Sequence, residues 1–303
     1  MISIIVPNYN HQKFLPQRLD TIFNQTFQDF EVILLDDCST DDSWEYLKQF
    51  DDHPKVSHCI RNEFNSGSPF KQWKKGIDLA KYDWIWIAES DDFSELDFLE
   101  KLVFKIEDGI SLIFSKSNFV DELGETYYIS GKKFEMNDFE LGEFEFRKNG
   151  IEFIRNYLVY RNYLLNASSV LFKKPDTFPE EVLDMKFSGD WFFWLFRLKI
   201  GEVVYIPRVL NCFRFHEKTT RSPKDERIEL ARFSEGFSCI LFSHKIIKKK
   251  SILFLFDENY SNYSFYYFKL IQKYGRLRFQ AVFPRIPIFM YLNYFKFFIK
   301  SFF

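Results

Sequence analysis

The chain has 303 residues, enough for one large domain or for one domain with an appendage. Its 41 basic and 43 acidic residues nearly balance, but residues 241–303 carry a charge of +9, which leaves −11 on residues 1–240. An acidic body of that kind excludes non-specific nucleic-acid binding, which requires a basic face. The uneven charge predicts two parts with different roles.

The cysteines and the first residues bear on the compartment. The four cysteines are widely spaced and form no CxxC pair, which predicts reduced thiols in the cytoplasm rather than disulfides or a zinc site. An apolar strand begins already at Ile2, so we expect no signal peptide. The sequence contains no run of about 18 uncharged apolar residues, the length that a membrane-spanning helix requires.

Apolar runs alternate with helical patterns through the first third of the chain. We predict strands at Ile2–Val6, Glu31–Leu35, Lys55–Ile60 and Trp84–Ala88, and helices at His11–Gln25, Asp42–Phe50, Ser68–Lys81 and Glu95–Ile106. Pro7 is expected to close the first strand, because it cannot donate a hydrogen bond to the ladder. The alternation is typical of an α/β fold with a mostly parallel sheet flanked by helices.

The remainder of the chain is less regular. We predict further strands at Ser111–Ser115, Ala167–Phe172, Val203–Ile206 and Val209–Phe215, a hairpin near Phe119–Ile129, and helices at Ile151–Leu164 and Trp191–Leu198. From about Ser222 the pattern becomes helical, then basic and aromatic. The sequence therefore predicts an α/β domain over residues 1–221 and a helical C-terminal region over residues 222–303.

Acidic residues cluster where two of the buried strands end. Asp37 closes the second of these strands, and Glu89, Asp91 and Asp92 close the fourth. Ligands of open α/β sheets bind beyond the carboxyl ends of the strands, and clustered carboxylates there suit Mg²⁺ or Mn²⁺ bridging to phosphates. The alternative interpretation is that Ser94 or Asp92 caps the helix that follows.

The last 23 residues combine aromatic and basic side chains. Residues 281–303 contain nine aromatics, with Arg285, Lys296 and Lys300 spaced among them. Lysine stems and aromatic rings suit an interfacial helix on an anionic membrane, and a cluster at residues 248–250 adds positive charge upstream. The alternative is a helix packed on the body of the protein or on a partner.

Three segments carry a family resemblance, and they read ISIIVPNYN, QTFQDFEVILLDDCSTDDS and IWIAESDD. In this order and spacing they closely resemble the inverting family 2 glycosyltransferases of GT-A fold, over residues 1–95 and less closely over 165–220. The resemblance implies a GT-A, Rossmann-like domain with a mixed, mostly parallel sheet. It also implies a nucleoside-diphosphate sugar donor and a divalent cation, Mn²⁺ or Mg²⁺. The donor is expected to be UDP-linked, because Asp37 matches the family's carboxylate that accepts the N–H of uracil.

The resemblance assigns roles residue by residue. It implies nucleotide contacts for six residues, which are Pro7, Asn8, Tyr9, Asp37, Arg61 and Asp91. It implies metal ligands at Asp92 and His216, and diphosphate contacts at Arg214 and Arg221. The alternative interpretation of the segment that contains Arg214, His216 and Arg221 is a solvated polar loop. Asp190, on its own an ordinary helix N-cap, corresponds to the base that deprotonates the acceptor hydroxyl.

The function predicted is metal-dependent, inverting transfer of one sugar to a hydroxyl of a lipid-linked or surface-polysaccharide acceptor, by a cytoplasmic protein peripherally attached to the inner face of the cell membrane. The Gln-x-x-Arg-Trp motif of processive members is absent. One alternative is a nucleotidyltransferase, which normally has a glycine-rich loop where this chain reads PNYNHQK. The other alternative is a membrane-associated module that binds a nucleotide sugar without catalysing its transfer. The presence of both acidic clusters and of Asp190 argues against it.

Overall fold

The structure is a computed structural model that describes residues 1–129, 132–133, 141–159, 161–216, 226–248 and 273. Within these residues nine strands form one mixed sheet, with helices packed on both of its faces. The predicted α/β architecture is confirmed. The basic-aromatic segment at residues 281–303 lies outside the described residues, as does Arg221.

The first half of the sheet is parallel. Its strands lie in the order β3-β2-β1-β4, with bounds β1 (Ile2–Asn8), β2 (Phe30–Asp36), β3 (Val56–Arg61) and β4 (Trp84–Ile87). The intervening helices are α1 (Leu15–Phe23), α2 (Ser43–Leu47) and α3 (Pro69–Leu79). Each crossover returns the chain to the same edge, so the carboxyl ends of β1, β2 and β4 lie side by side.

The second half of the sheet is mixed. Its strands are β5 (Phe93–Ser94), β6 (Ile110–Val120), β9 (Phe146–Asn149), β10 (Val170–Lys173) and β11 (Glu202–Arg214). Antiparallel β10 joins β4 to β6, and β6 pairs in parallel with β11, which also pairs with β5 and β9. Strands β7 (Tyr128–Ile129) and β8 (Lys132–Lys133) form a separate two-stranded sheet. The helices are α4 (Phe98–Val103), α5 (Gly150–Phe153), α6 (Gly189–Leu198) and α7 (Glu226–Ile246).

Both faces of the sheet are covered by apolar side chains. Along β1, Ile4 and Val6 pack on one face with α1 and α4, while Ile5 packs on the other face with α3 and α6. Alternate residues of a strand point to opposite faces, so a strand covered on both sides must be apolar throughout. This explains why the predicted strands at Ile2–Val6 and Trp84–Ala88 are largely apolar runs.

The first strand differs from the prediction at Pro7. β1 continues through Pro7 to Asn8, and both residues pair with β2, whereas its pairing with β4 ends at Ile5. The carbonyl of Ile5 accepts a hydrogen bond from the backbone N–H of Ala88, on the β4 side. Pro7, two residues further on, faces that side beyond the end of β4, so its missing N–H removes no ladder bond. The prediction that Pro7 closes the strand is wrong.

Other boundaries also differ from the prediction. Helix α1 begins at Leu15 rather than His11, with Pro16 in its first turn, where the missing N–H costs no helical bond. The two strands predicted between residues 203 and 215 are one strand, β11, with register shifts against β6 between Ile206 and Val209. The helix predicted from Ile151 is α5, which continues as a π-helical turn over Ile154–Leu158.

Helix α7 packs against the body of the protein. Its apolar residues Leu230, Phe233 and Phe237 are buried, and Cys239 and Ile240 belong to the same core cluster as α3 and α6. The predicted boundary between residues 221 and 222 falls in a part of the chain that the structure does not describe. Among the described helices, none has the length and apolar composition to cross a membrane.

Candidate active site

A cleft of about 750 Å³ opens at the carboxyl ends of the parallel strands. It collects eight of the residues that the sequence assigned to the site, which are Pro7, Asn8, Tyr9, Asp37, Asp91, Asp92, Asp190 and His216. Arg61 and Arg214 are described but do not line the cleft. The cleft is therefore built where the alternating pattern of strands and helices predicted a ligand site.

At one end of the cleft, Asp37 anchors the loop that follows β3. Its carboxylate accepts hydrogen bonds from Asn62 Nδ2 at 2.6 Å, from the backbone N–H and hydroxyl of Ser66, and from Gln72 Nε2 at 2.7 Å. These donors fix the segment that carries Gly67 and Ser68 into the cleft wall. In this structure Asp37 shapes the pocket through its protein partners.

The loop between β1 and α1 is tied to the end of β2. The Asn8 side chain is buried and donates to Asp36 at 2.9 Å and to the Ser39 hydroxyl at 3.2 Å. Arg61 Nη2 donates to the Ser39 carbonyl at 2.9 Å, so its guanidinium supports this turn from outside the cleft. Tyr9 is 44% exposed at the cleft mouth, where its ring is free to meet a ligand.

Asp92 lines the cleft at its base and is almost fully buried. Its carboxylate accepts hydrogen bonds from Asn166 Nδ2 at 2.7 Å, from Ser168 Oγ at 2.6 Å and from the backbone N–H of Arg214 at 3.0 Å. Burial and the neighbouring charge of Asp91 raise the pKa of Asp92 above its ordinary value. Asp92 does not cap α4, whose N-cap residue is Asp97.

Asp91, in contrast, meets two histidines. His216 Nε2 lies 3.0 Å from Asp91 Oδ2, and the rings of His11 and His216 meet edge to face at 5.4 Å. Although burial opposes the shift, the charge of His11 and the hydrogen bond with His216 lower the pKa of Asp91. Glu89 is held by Trp73 Nε1 at 2.9 Å, and burial beside Asp91 raises the pKa of Glu89 to about 8.

Three of these side chains form a group that fits a metal ion. One ligand atom each from His11, Asp91 and His216 lie within 4.8 Å of one another. Two imidazole nitrogens and one carboxylate oxygen are a donor set that divalent transition metals accept. The sequence interpretation missed His11. Its signal was only its place in the loop after β1, at the edge where the carboxylates also lie.

Arg214 is buried beside the acidic cluster and is bonded to backbone oxygens. Its guanidinium donates to the carbonyls of Asp91 at 2.8 Å, Asp121 at 3.0 Å and Glu122 at 2.9 Å. A second buried guanidinium, that of Arg18, stacks on Trp86 at 4.9 Å. Burial lowers the pKa of Arg18 to about 10, against the opposing charges of the acidic cluster. Both arginines supply positive charge from below the cleft.

Asp190 lies at the start of α6, on the far wall of the cleft. Its carboxylate accepts a hydrogen bond from Asn162 Nδ2 at 2.9 Å and from the backbone N–H of Trp191 at 2.7 Å. Gly189 lets the start of α6 approach α3, because a Cβ there would lie 2.5 Å from the Phe70 ring. The Asp190 carboxylate therefore lies at a helix N-terminus and lines the cleft.

The site can be compared with known proteins. The chain is 32% identical over 156 residues to the glycosyltransferase GlyG of Streptococcus pneumoniae, which is half of each protein. It is 36% identical over 94 residues to a poly(ribitol-phosphate) beta-glucosyltransferase of Bacillus spizizenii, 30% of this chain and 15% of that protein. The matched part of the chain thus spans half the length of GlyG and 15% of the length of the glucosyltransferase.

A solved structure shares the fold. The S. aureus TarS fragment 1–349, in complex with UDP-GlcNAc, superposes with a TM-score of 0.57 at 16% identity, over 93% of this chain and 83% of that one.

The model of the family described as Glycosyl transferase family 2 matches residues 3–166, which include β1 to β4, both acidic clusters and Asn166. That match covers more than half of the sequence. The chain belongs to glycosyl transferase family 2.

Proposed function

We propose that the protein is an inverting glycosyltransferase that moves one sugar from a nucleoside-diphosphate sugar, UDP-linked, to a hydroxyl of a glycan or lipid-linked glycan. One observation carries the proposal. A single cleft brings the Asp190 carboxylate together with the group of His11, Asp91 and His216 and with the pocket end that Asp37 shapes. These are the parts that positioning a sugar nucleotide and activating an acceptor require.

The nucleotide belongs at the end of the cleft formed by the β1–α1 loop and the loop after β3. Tyr9 offers an exposed aromatic ring there, and bases stack on such rings. Pro7 lines that end, and Asn8 and Asp37 give it a fixed shape through buried hydrogen bonds. The TarS complexes with UDP and UDP-GlcNAc support a uridine nucleotide as the occupant.

The divalent cation belongs with His11, Asp91 and His216. Asp92, which the sequence assigned to the metal, has its carboxylate oxygens on protein donors, so the geometry favours Asp91. Imidazole ligands suit Mn²⁺ better than Mg²⁺, which prefers oxygen. When bound, the ion supplies positive charge where the departing diphosphate accumulates negative charge. Arg214 supports this region from below the cleft rather than by direct contact.

Asp190 is the proposed base. It takes the proton of the acceptor hydroxyl as that oxygen bonds to the anomeric carbon and the bond from this carbon to the diphosphate breaks. One displacement from the face opposite the leaving group inverts the anomeric centre. Asp190 lies in the first turn of α6, and a helix N-terminus favours negative charge.

The acceptor and the location rest on the relatives and the tail. A poly(ribitol-phosphate) glucosyltransferase and a putative teichuronic acid glycosyltransferase are among the proteins with similar sequence. They support a surface polysaccharide or its lipid-linked precursor as the acceptor. The basic-aromatic residues 281–303 support peripheral attachment to the inner, anionic face of the cell membrane.

The test is a donor screen with a variant of the base. The protein is incubated with UDP-sugars, Mn²⁺ and a panel of glycan acceptors, and release of UDP is measured. Asp190→Asn is expected to lower kcat by about 10²- to 10⁴-fold, because general base catalysis contributes that much, with UDP affinity unchanged. Asp184→Asn, at an exposed aspartate six residues earlier, is the control. An Asp190→Asn protein with full activity, or a product that retains the donor's anomeric configuration, contradicts the proposal.

A further inference from the structure

The side chain of Glu235 on helix α7 is bonded to the segment that precedes Asp190. Its carboxylate accepts three backbone N–H groups, from Lys186 at 2.9 Å, from Phe187 at 2.7 Å and from Ser188 at 2.8 Å. Three consecutive N–H groups on one carboxylate require a single conformation of that segment. The contact therefore joins α7 to the start of α6.

These three N–H groups lie where a helix cannot satisfy them. Ser188 is the N-cap residue of α6, and its side chain makes no capping hydrogen bond. Glu235 accepts the N–H of this N-cap residue and of the two residues before it from a different helix, with charge-assisted bonds and a negative charge near the positive end of the α6 dipole.

The same segment is also held from other directions. The Ser68 hydroxyl, beside the nucleotide end of the cleft, donates to the Met185 carbonyl at 3.0 Å. Cys239, one turn after Glu235 on α7, places its Sγ 3.5 Å from the Ser188 carbonyl. Gly189 packs on the Phe70 ring of α3. With these contacts on α3 and α7, the segment has little freedom to move Asp190, which follows Ser188 by two residues.

We propose that Glu235 is a positioning residue that sets the place of the Asp190 carboxylate in the cleft. The inference rests on the proposed role of Asp190 as the base. Glu235 touches neither donor nor acceptor through its carboxylate, since both oxygens are bonded to backbone N–H groups of residues 186–188. Its contribution is orientation, and misplacement of a reacting group by about 1 Å costs about 100-fold in rate.

The test is Glu235→Gln in the full chain. A glutamine has one carbonyl oxygen for three donors, and its amide N–H groups face other N–H groups, so the segment must move. We expect kcat for sugar transfer to fall by about 100-fold, while KM for the donor and the Kd of UDP with Mn²⁺ change less than about twofold. Glu229→Gln, an ion-paired glutamate on the same helix, is the matched control and keeps full kcat.

A double variant separates this inference from the proposed function. In an Asp190→Asn background, Glu235→Gln is expected to cause no further loss, because its effect acts through the base. The positioning role would be overturned if the two substitutions caused multiplicative losses of kcat in the double variant, or if kcat were unchanged in Glu235→Gln. It would also be overturned if Glu235→Gln lost kcat and UDP affinity equally and had a lowered Tm. If Asp190→Asn alone is fully active, the proposed base fails, and the effect of Glu235→Gln on kcat then reports an independent role.

Discussion

Asp91 and Asp92 are neighbours in sequence, yet their carboxylates have different partners. Asp91 lies with His216 at 3.0 Å and belongs to the group with His11, whereas Asp92 is bonded to Asn166, Ser168 and a backbone N–H. Both residues line the cleft, but only the Asp91 carboxylate lies beside the two histidines. Each residue therefore has a distinct expected phenotype.

The first prediction separates metal binding from stability. Asp91→Asn and His11→Ala are expected to weaken Mn²⁺ binding by at least about tenfold, because the first removes a ligand's negative charge and the second removes a ligand nitrogen, with Tm nearly unchanged. Asp92→Asn is expected to lower the free energy of unfolding by about 2 kcal/mol, because an amide group then faces buried donors. Calorimetric Mn²⁺ titration and thermal unfolding of the three variants check this, and the reverse pattern would return the metal to Asp92.

Strain at a single backbone position gives the second prediction. Cys38 has φ of 61°, a left-handed conformation that costs an L-residue about 1–2 kcal/mol. Glycine adopts it freely but loses about 0.5–1 kcal/mol through its flexible unfolded chain. Cys38→Gly is therefore expected to raise the free energy of unfolding by up to about 1 kcal/mol in urea denaturation. Cys38→Ala, which keeps the Cβ, should show no gain, and equal stability of the two variants contradicts the argument.

At the residue scale, the sequence predicted where the site residues lie in the fold better than it predicted the directions of their side chains. Asp37, Asp91 and Asp92 follow parallel strands, so the pattern alone brought them to one edge of the sheet. Arg214 was assigned to the diphosphate but lies buried, because the register shifts of β11 decide where its side chain points. No period in a single sequence reports such a shift. His11 is a loop residue, and a loop has no period that fixes its direction.

At the scale of elements, α3 meets the sheet at Gly76. A Cβ at this position would lie 2.4 Å from Ile5 Cγ2 on β1, well inside van der Waals contact. The close approach lets Phe70 and Trp73 of α3 pack under α6. The glycine is thus part of what brings the donor side and the Asp190 side of the cleft together.

The third prediction follows from that contact. Gly76→Ala gains helix propensity of about 0.5–1 kcal/mol but overpacks the core at a cost of about 1–3 kcal/mol, so we expect a net destabilisation of about 1–2 kcal/mol. Urea denaturation measures it. Asp78→Ala, at an exposed position of α3, is the control and should change stability by less than about 0.5 kcal/mol. A Gly76→Ala protein as stable as the parent would show that α3 has room to shift.

Elements in which apolar residues recur regularly were predicted from the sequence, whereas very short elements were not. The buried strands β1, β2 and β4 are apolar runs and helix α3 is an amphipathic run, which pattern reading identifies. β5 has only two residues, Phe93 and Ser94, and exists because β11 supplies its hydrogen-bond partners. The position of β10 between β4 and β6 is likewise a choice among distant partners that local sequence does not encode.

At the scale of the whole molecule, α7 belongs with the α/β body. Its apolar residues Leu230, Phe233, Phe237, Cys239 and Ile240 are buried, and Glu235 holds the segment before α6. The fourth prediction is that a chain ending at residue 248 unfolds cooperatively and binds UDP, whereas a chain ending at residue 221 does not fold stably. Exposing each large apolar side chain costs about 1.5–3 kcal/mol, and total stabilities are about 5–15 kcal/mol. Thermal unfolding by circular dichroism decides between them, and a stable chain ending at 221 would make α7 dispensable.

The last prediction concerns the basic-aromatic residues 281–303. A chain ending at residue 280 is expected to lose co-sedimentation with anionic liposomes and to keep its affinity for UDP, because the cleft is built from residues 7–232. In the full chain, replacing Arg285, Lys296 and Lys300 by Gln removes three charges worth about 1 kcal/mol each at an anionic surface, so binding should weaken about 100-fold. Neutral liposomes serve as the control, since they lack the charge that these residues meet. If the shortened chain still sediments with anionic vesicles, the segment is not the membrane anchor, and packing on the body or on a partner becomes its role.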